Sequence, residues 1–395
     1  MNMDARFKES LRHMPFAGYD EYMDYLFACV NFRLSNYIEG LMGKYDAGQG
    51  NYKNVLYPDI EIAYEQCNEK LMQFEEEGRR QEEGFLTEAS IGADDALAGE
   101  ESRVDEELLK LLADFSESTG GKKEEKEEKR RELTVEEMFS FVDDRLAATD
   151  TSQVKLPFHD LCKKLGFGHF TMFAAACAVL SSTQTSYASV FQIVNENGGL
   201  TAPTVESAAR LYFGNRFSIT MAYGEMSVCL EQLRPVMDLR VNSAMPFSTS
   251  LSPDKRLIDF LFGKNPLRLD ENYSRFFHML TDDKELDPLM ANKTQLEAMR
   301  ISYEEGVRIF SWYGDEGSGR KFFIRNFCKE KEIRAIRMNC KKLFIYDYSF
   351  VEKALWAVNR ECILTDACCC MDELDYREDE KEKYIGYMDL AISRL

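Results

Sequence analysis

The chain has 395 residues, 45% of them hydrophobic and 12% aromatic, which is enough for two or three folded units with buried cores and excludes a wholly disordered protein. Its 49 Lys and Arg against 69 Asp and Glu give a net charge of -20, so most of the surface repels polyphosphate and nucleic acid is disfavoured as a partner. The N-terminal stretch MNMDARFKESLRHMPF has no apolar signal region, the longest apolar run (Phe173–Leu180) falls far short of the ~20 residues of a membrane span, and 11 cysteines without paired spacing point to a reducing cytoplasm.

Residues 1–74 read as a helical N-terminal region. Tyr22, Tyr25, Leu26, Cys29, Val30, Phe32, Leu34, Tyr37, Ile38 and Leu41 recur at three- and four-residue steps, and IEIAYEQCNEKLMQF repeats the pattern, predicting a helical hairpin broken by YDAGQGNYKNVLYP. Residues 75–131 are rich in charge and glycine and poor in aromatics, so they are expected to form an acidic flexible linker. Only Val104–Phe115 carries an amphipathic pattern there, read as a transient linker helix more readily than as a docking peptide.

Residues 132–292 are expected to be helical with a winged-helix-like element. Pro157 opens a short helix stopped at Gly166 and Gly168, and HFTMFAAACAVLSS is apolar all round and so buried. SYASVFQIVNENGG ends at Gly198, Thr204 caps VESAARLYFG, and SPDKRLIDFLFG runs from a Ser252 cap with Pro253 in the first turn to Gly263. Short β-compatible pieces in the stretch from Arg216 to Leu251 predict a small strand pair behind these helices. Neither VESAARLYFG nor ITMAYGEMSVCLEQL gathers Lys or Arg on one face, so the module suits protein contact or a structural role better than DNA.

From residue 293 to 395 strands and helices alternate, the pattern of a parallel α/β sheet. VRIFSWY reads as a strand, GDEGSGR as a glycine-rich turn, KFFIRNFCKE as a helix, IRAIRMNC as a strand, SFVEKALWAVNRECIL as a helix and ACCCM as a further strand. The turn follows the spacing of a phosphate-binding loop, G-x-x-x-x-G-K-[ST], with Gly314 and Gly319 at the fixed glycines and Gly317 and Ser318 between them. Such a turn aims backbone N–H groups at phosphate oxygens beside the positive end of the next helix.

Two positions differ from that pattern. Arg320 stands where the phosphate-binding lysine would be, longer and planar instead of compact, and Lys321 stands where a hydroxyl would bind magnesium, a role that an ammonium has no lone pair to fill. Asp315 and Glu316 place carboxylates on the rim of the anion site. The complementary acids are Asp372 and Glu373, at the carboxyl end of the ACCCM strand, where the first would serve the magnesium shell and the second the attacking water. Cys368, Cys369 and Cys370 alternate faces along that strand and read as small buried hydrophobes, and His13, His159, His169 and His278 fit no nucleophile arrangement.

Tyr313–Lys321, the ACCCMDELD strand, LPFHDLCKKLGFGHFTMFAAACAVL, PTVESAARLYFG and SLSPDKRLIDFLFG together resemble large bacterial AAA+ ATPases that carry a helical and winged-helix region ahead of the ATPase modules. The resemblance implies a partial AAA+ P-loop α/β domain that binds ATP with Mg2+, assembles into a homo-oligomeric ring and acts on a protein partner or substrate. In those terms Gly314, Gly317, Ser318, Gly319, Arg320 and Lys321 would surround the phosphates, Asp372 the metal, and Glu373 would be catalytic. The domain is expected to be incomplete, because the sequence ends one helix beyond the Asp-Glu strand. The leading expectation is an ATP-binding, AAA+ ATPase-like protein that regulates or assembles a remodelling ATPase without hydrolysing ATP by itself; the alternative is a non-catalytic scaffold or adaptor.

Overall fold

The structure is a computed structural model that describes residues 11–46, 59–77, 134–237, 239–263, 272–280, 293–315, 317–374 and 380–394. The expected linker lies outside them from residue 78 onward, as do Val104–Phe115 and Glu316. The described chain is mostly helical with one small mixed sheet, and it forms two compact units, each assembled from separate stretches.

The first unit comprises Met1–Leu156, Gly168–Cys229 and Val241–Leu251. Helix α1 (Tyr19–Asp46) runs for 28 residues, about 42 Å at 1.5 Å per residue, and the expected second helix, α2, spans 59–77, ending past Phe74. Helix α3 (Val135–Ala148) starts at Thr134, whose hydroxyl accepts from Glu137 N while the Glu137 carboxylate accepts from Thr134 N, a reciprocal capping box. Arg145 on α3 donates to the carbonyls of Met14 and Pro15 and to Glu21, and lies over the rings of Phe16 and Tyr25, so one buried cation fastens the N-terminal arm to α1.

Helix α5 (His169–Thr183) is buried without interruption from Phe170 to Leu180, as its all-round apolar sequence predicts, and α1, α6 (Tyr187–Val194) and α7 (Val205–Phe213) pack against it or one another. Thr204 caps α7 as expected, but α6 stops at Val194, short of Gly198. Helix α8 (Ile219–Leu233) crosses from this unit into the second.

The strand pair of a winged helix is absent among the described residues of 217–252, which form only isolated bridges, Thr204 with Ser250 and Met237 with Pro253. Residues 240–245 are exposed, so they offer no apolar face to repay the ordering of a strand.

The second unit comprises Pro157–Phe167, Leu230–Arg240 and Ser252–Leu395. Helix α4 (Pro157–Leu165) starts at Pro157 and stops at Gly166, as expected. Helix α9 (Lys255–Leu261) is capped by Asp254, whose Oδ1 accepts from Arg256 N at 2.6 Å; the expected Ser252 cap is displaced because Asp254 supplies a carboxylate nearer the first turn.

Three strands follow the order β1 (Phe277–Met279), β2 (Arg334–Asn339), β3 (Ala367–Asp372), with β1 antiparallel to β2 and β2 parallel to β3. Both parallel strands fall where the alternation predicted them, and β1 adds an edge upstream of residue 293. Helices α10 (Lys293–Glu304), α11 (Arg320–Glu330), α12 (Cys340–Leu343), α13 (Tyr348–Thr365) and α14 (Lys381–Arg394) complete the unit. Strand period divides the sheet into two faces. Phe277, Ile336, Met338, Cys369 and Met371 pack into a core with α12, α13 and α14, while Ala335, Arg337, Cys368, Cys370 and Asp372 point the other way, towards α11.

The expected strand VRIFSWY is corrected. Residues 307–313 pair with no strand among the described residues. Trp312 packs on Phe323 with ring centroids 4.6 Å apart and Phe310 lies beside Phe327, so the segment is fixed against α11, leaving Ile309 and Tyr313 exposed.

Candidate anion site at the glycine loop

In the loop before α11, Gly314, Gly317 and Gly319 all have positive φ, which glycine adopts without steric cost. Gly319 has φ 77 and is the N-cap of α11, contributing no side chain to the first turn, so the leading N–H groups of the helix meet no capping oxygen from it. At Gly314 a Cβ would come 2.9 Å from Ser318 Oγ and 3.9 Å from Arg320 Cδ, so the loop folds back on itself, helped by a turn from Ser318 N to Asp315 O. Gly317 lies in the exposed turn between them, and Asp315, Ser318 and Arg320 are exposed as well. The loop is open to solvent at the positive end of an 11-residue helix.

The structure brings Lys321, Asp372 and Glu373 together and adds a residue that the sequence did not suggest, Arg337. Lys321 Nζ lies 2.8 Å from Asp372 Oδ2. Arg337 Nε donates to the same oxygen at 2.6 Å, and Arg337 Nη2 reaches Asp372 Oδ2 at 2.5 Å and Glu373 Oε1 at 3.0 Å. Burial would raise the Asp372 pKa, but the hydrogen bonds from Lys321 and Arg337 outweigh it and hold the carboxyl below its ordinary 3.8. Glu373, just past the strand at φ 56, is turned onto Arg337. The register aligns Arg337 with Cys370, two residues before Asp372, and only this pairing, invisible in one strand's sequence, places the guanidinium beside both acids.

These contacts test the expected ligands. The acceptor that a magnesium ion would need, Asp372 Oδ2, already receives two cationic side chains, and Lys321 supplies nitrogen where an oxygen donor is required. No group of three or more His, Cys, Asp or Glu among the described residues could hold a metal ion. Asp372, the expected metal ligand, is thus engaged by Lys321 and Arg337, and Glu373, the expected catalytic acid, by Arg337. Around the loop, the α11 N-terminus lacks a side-chain cap, and Arg320 and Asp315 are both exposed, a cation and an anion at its rim.

Elsewhere, His169 does not stand alone: its Nε2 lies 2.7 Å from Asp143 Oδ2, a hydrogen bond that raises its pKa above 6.5. No described helix is long and apolar enough to cross a membrane. Comparison with protein-family models, with curated proteins and with solved structures returns no match for this chain.

Proposed function

We propose that this chain is an AAA+ ATPase-like protein whose glycine loop binds the phosphates of ATP without magnesium, and that it does not hydrolyse them. The observation that carries the reading is the Lys321–Asp372 pair at the foot of the loop, an ammonium where a metal-dependent site would hold its cation. A bound divalent ion would have to displace Lys321 and share Asp372 with Arg337, whereas phosphate oxygens need only the loop N–H groups and Arg320. With Glu373 on Arg337, no carboxylate in the cluster is set to polarise a water, so nucleotide would serve as an assembly or regulatory ligand for a protein partner.

Calorimetric titration of the full chain with ATP tests this. Binding is expected to be equal in EDTA and in millimolar magnesium and to weaken about tenfold or more in Arg320→Ala, the loss of a charge-assisted phosphate contact. Strict magnesium dependence, or a release of phosphate that follows binding, would overturn it.

A second reading, a scaffold or adaptor that binds no nucleotide, is favoured by α8, where Ile219, Met221, Tyr223 and Val228 are exposed. Absence of binding at millimolar ATP selects that reading.

A further inference from the structure

Burial raises the pKa of most cysteines in this chain; Cys29, Cys67, Cys177 and Cys229 are enclosed in the first unit, and Cys162 is buried on α4 of the second. The α11 face of the sheet is different. Cys368 and Cys370, two residues apart on β3, share that face, and Cys328 of α11 brings its Sγ to 3.9 Å from Cys368 Sγ. Cys328 is buried, whereas Cys368 and Cys370 are partly exposed. Hydrogen bonding with Cys328 first and Cys370 second draws the Cys368 thiol below its usual range, and this partly exposed sulfur has Cys328 Sγ beside it.

The same helix is pinned at a second point, Lys321 on Asp372. From Lys321 to Cys328 is about 10 Å of helix, and from Asp372 back to Cys368 is about 13 Å of strand, so α11 lies antiparallel to β3 and touches it at both ends of the matching span. One contact is ionic and sits beside the glycine loop; the other is a thiol pair.

We propose that Cys328 and Cys368 form a reversible disulfide, by exchange with a low-molecular-weight disulfide such as oxidised glutathione, that clamps α11 onto β3 and restrains the glycine loop. The Cys368 thiolate attacks one sulfur of the small disulfide, forming a mixed disulfide and expelling a thiolate that takes up a proton. Cys328 then gives up its proton and attacks the Cys368 sulfur, forming the protein disulfide and expelling the second small thiolate. Two protein thiols are oxidised and one small disulfide is reduced to two thiols. The sulfurs must close from 3.9 Å to about 2.0 Å to bond. This chemistry does not depend on nucleotide binding.

The test equilibrates the full-length protein with defined mixtures of reduced and oxidised glutathione, traps free thiols by alkylation and maps the peptides by mass. A Cys328–Cys368 linked peptide is expected, lost in Cys328→Ser and in Cys368→Ser and retained in Cys370→Ser; Cys328→Ala replaces the serine variant if that fails to fold. Limited trypsin cleavage after the exposed Arg320 and Lys321 is expected to slow about tenfold or more on oxidation, because the clamp suppresses opening of the first turn. No linked peptide under fully oxidising conditions, accumulation of only a glutathione adduct on Cys368, or a linked protein cleaved as fast as the reduced one would each overturn the proposal.

Discussion

Two ion-pair clusters in the second unit use the same chemistry in opposite surroundings. Arg256 of α9 grips Glu361 of α13 with Nε at 2.8 and 3.1 Å and Nη2 at 2.9 Å, and their side chains are only 7% and 1% exposed. At the glycine loop, Lys321 is 55% exposed, Arg337 25% and Asp372 23%. The buried pair is shielded from water and ties two helices together. The open cluster competes with water and with any incoming ion, so it contributes less stability, and on the proposed function it would set what the loop can bind. Position, more than pairing, decides how much such a salt bridge contributes to stability.

The comparison breaks most visibly at Glu361. Glu361→Ala leaves the Arg256 guanidinium buried without its carboxylate, and the expected cost is about 3–5 kcal/mol, read as a lower urea midpoint. Replacing both partners, Arg256→Met with Glu361→Leu, should recover most of that loss, since the pair's own desolvation offsets much of its attraction. A single substitution costing under about 1 kcal/mol would show that the pair is more hydrated than its burial indicates.

Much of this second unit was legible in the sequence, and the failures share a cause. Apolar periodicity and the Asp-Glu terminus located β2, α11, α13 and β3, because each is decided by residues within the element itself. VRIFSWY satisfied the same local test, but its place depends on whether Trp312 and Phe310 meet a strand or a helix, and they meet Phe323 and Phe327 of α11. β1 was missed because three residues carry too little period to see.

At the site, Lys321 looked like a simple loss of the hydroxyl. Its ion pair with Asp372 needed the three-dimensional approach of the two residues, although a cation in a metal ligand's place, followed by an Asp-Glu strand end, was the available signal. Arg337 and the Cys328–Cys368 approach were hidden for the same reason, since both depend on register and helix placement rather than on spacing along the chain.

Removing the open cluster's central cation should have an intermediate effect. Arg337→Met deprives both Asp372 and Glu373 of a partner, and the expected loss is about 1–2 kcal/mol, reduced by partial exposure. The pH dependence sharpens the point. Because the folded Asp372 pKa is depressed, its stabilisation is fully present above the ordinary 3.8 and is lost as pH falls through the lower folded value. The stability difference between the unmodified protein and Asp372→Asn should therefore be constant down to about pH 5 and shrink towards pH 3. A difference that instead grew on acidification would mean that Lys321 and Arg337 do not stabilise the charged form.

The smallest change in stability should come from the residue that matters most to the site. Lys321→Thr removes an exposed ammonium, while Arg337 still satisfies Asp372, so unfolding is expected to shift by no more than about 1 kcal/mol. Yet the substitution restores a hydroxyl beside an acid that now has one cation instead of two, and ATP binding should become stronger in magnesium than in EDTA, the reverse of the indifference expected of the unmodified chain. If the variant stays indifferent to magnesium, Arg337 alone is sufficient to exclude the ion, and the metal-free character of the loop then originates on the neighbouring strand β2 rather than in the first turn of α11.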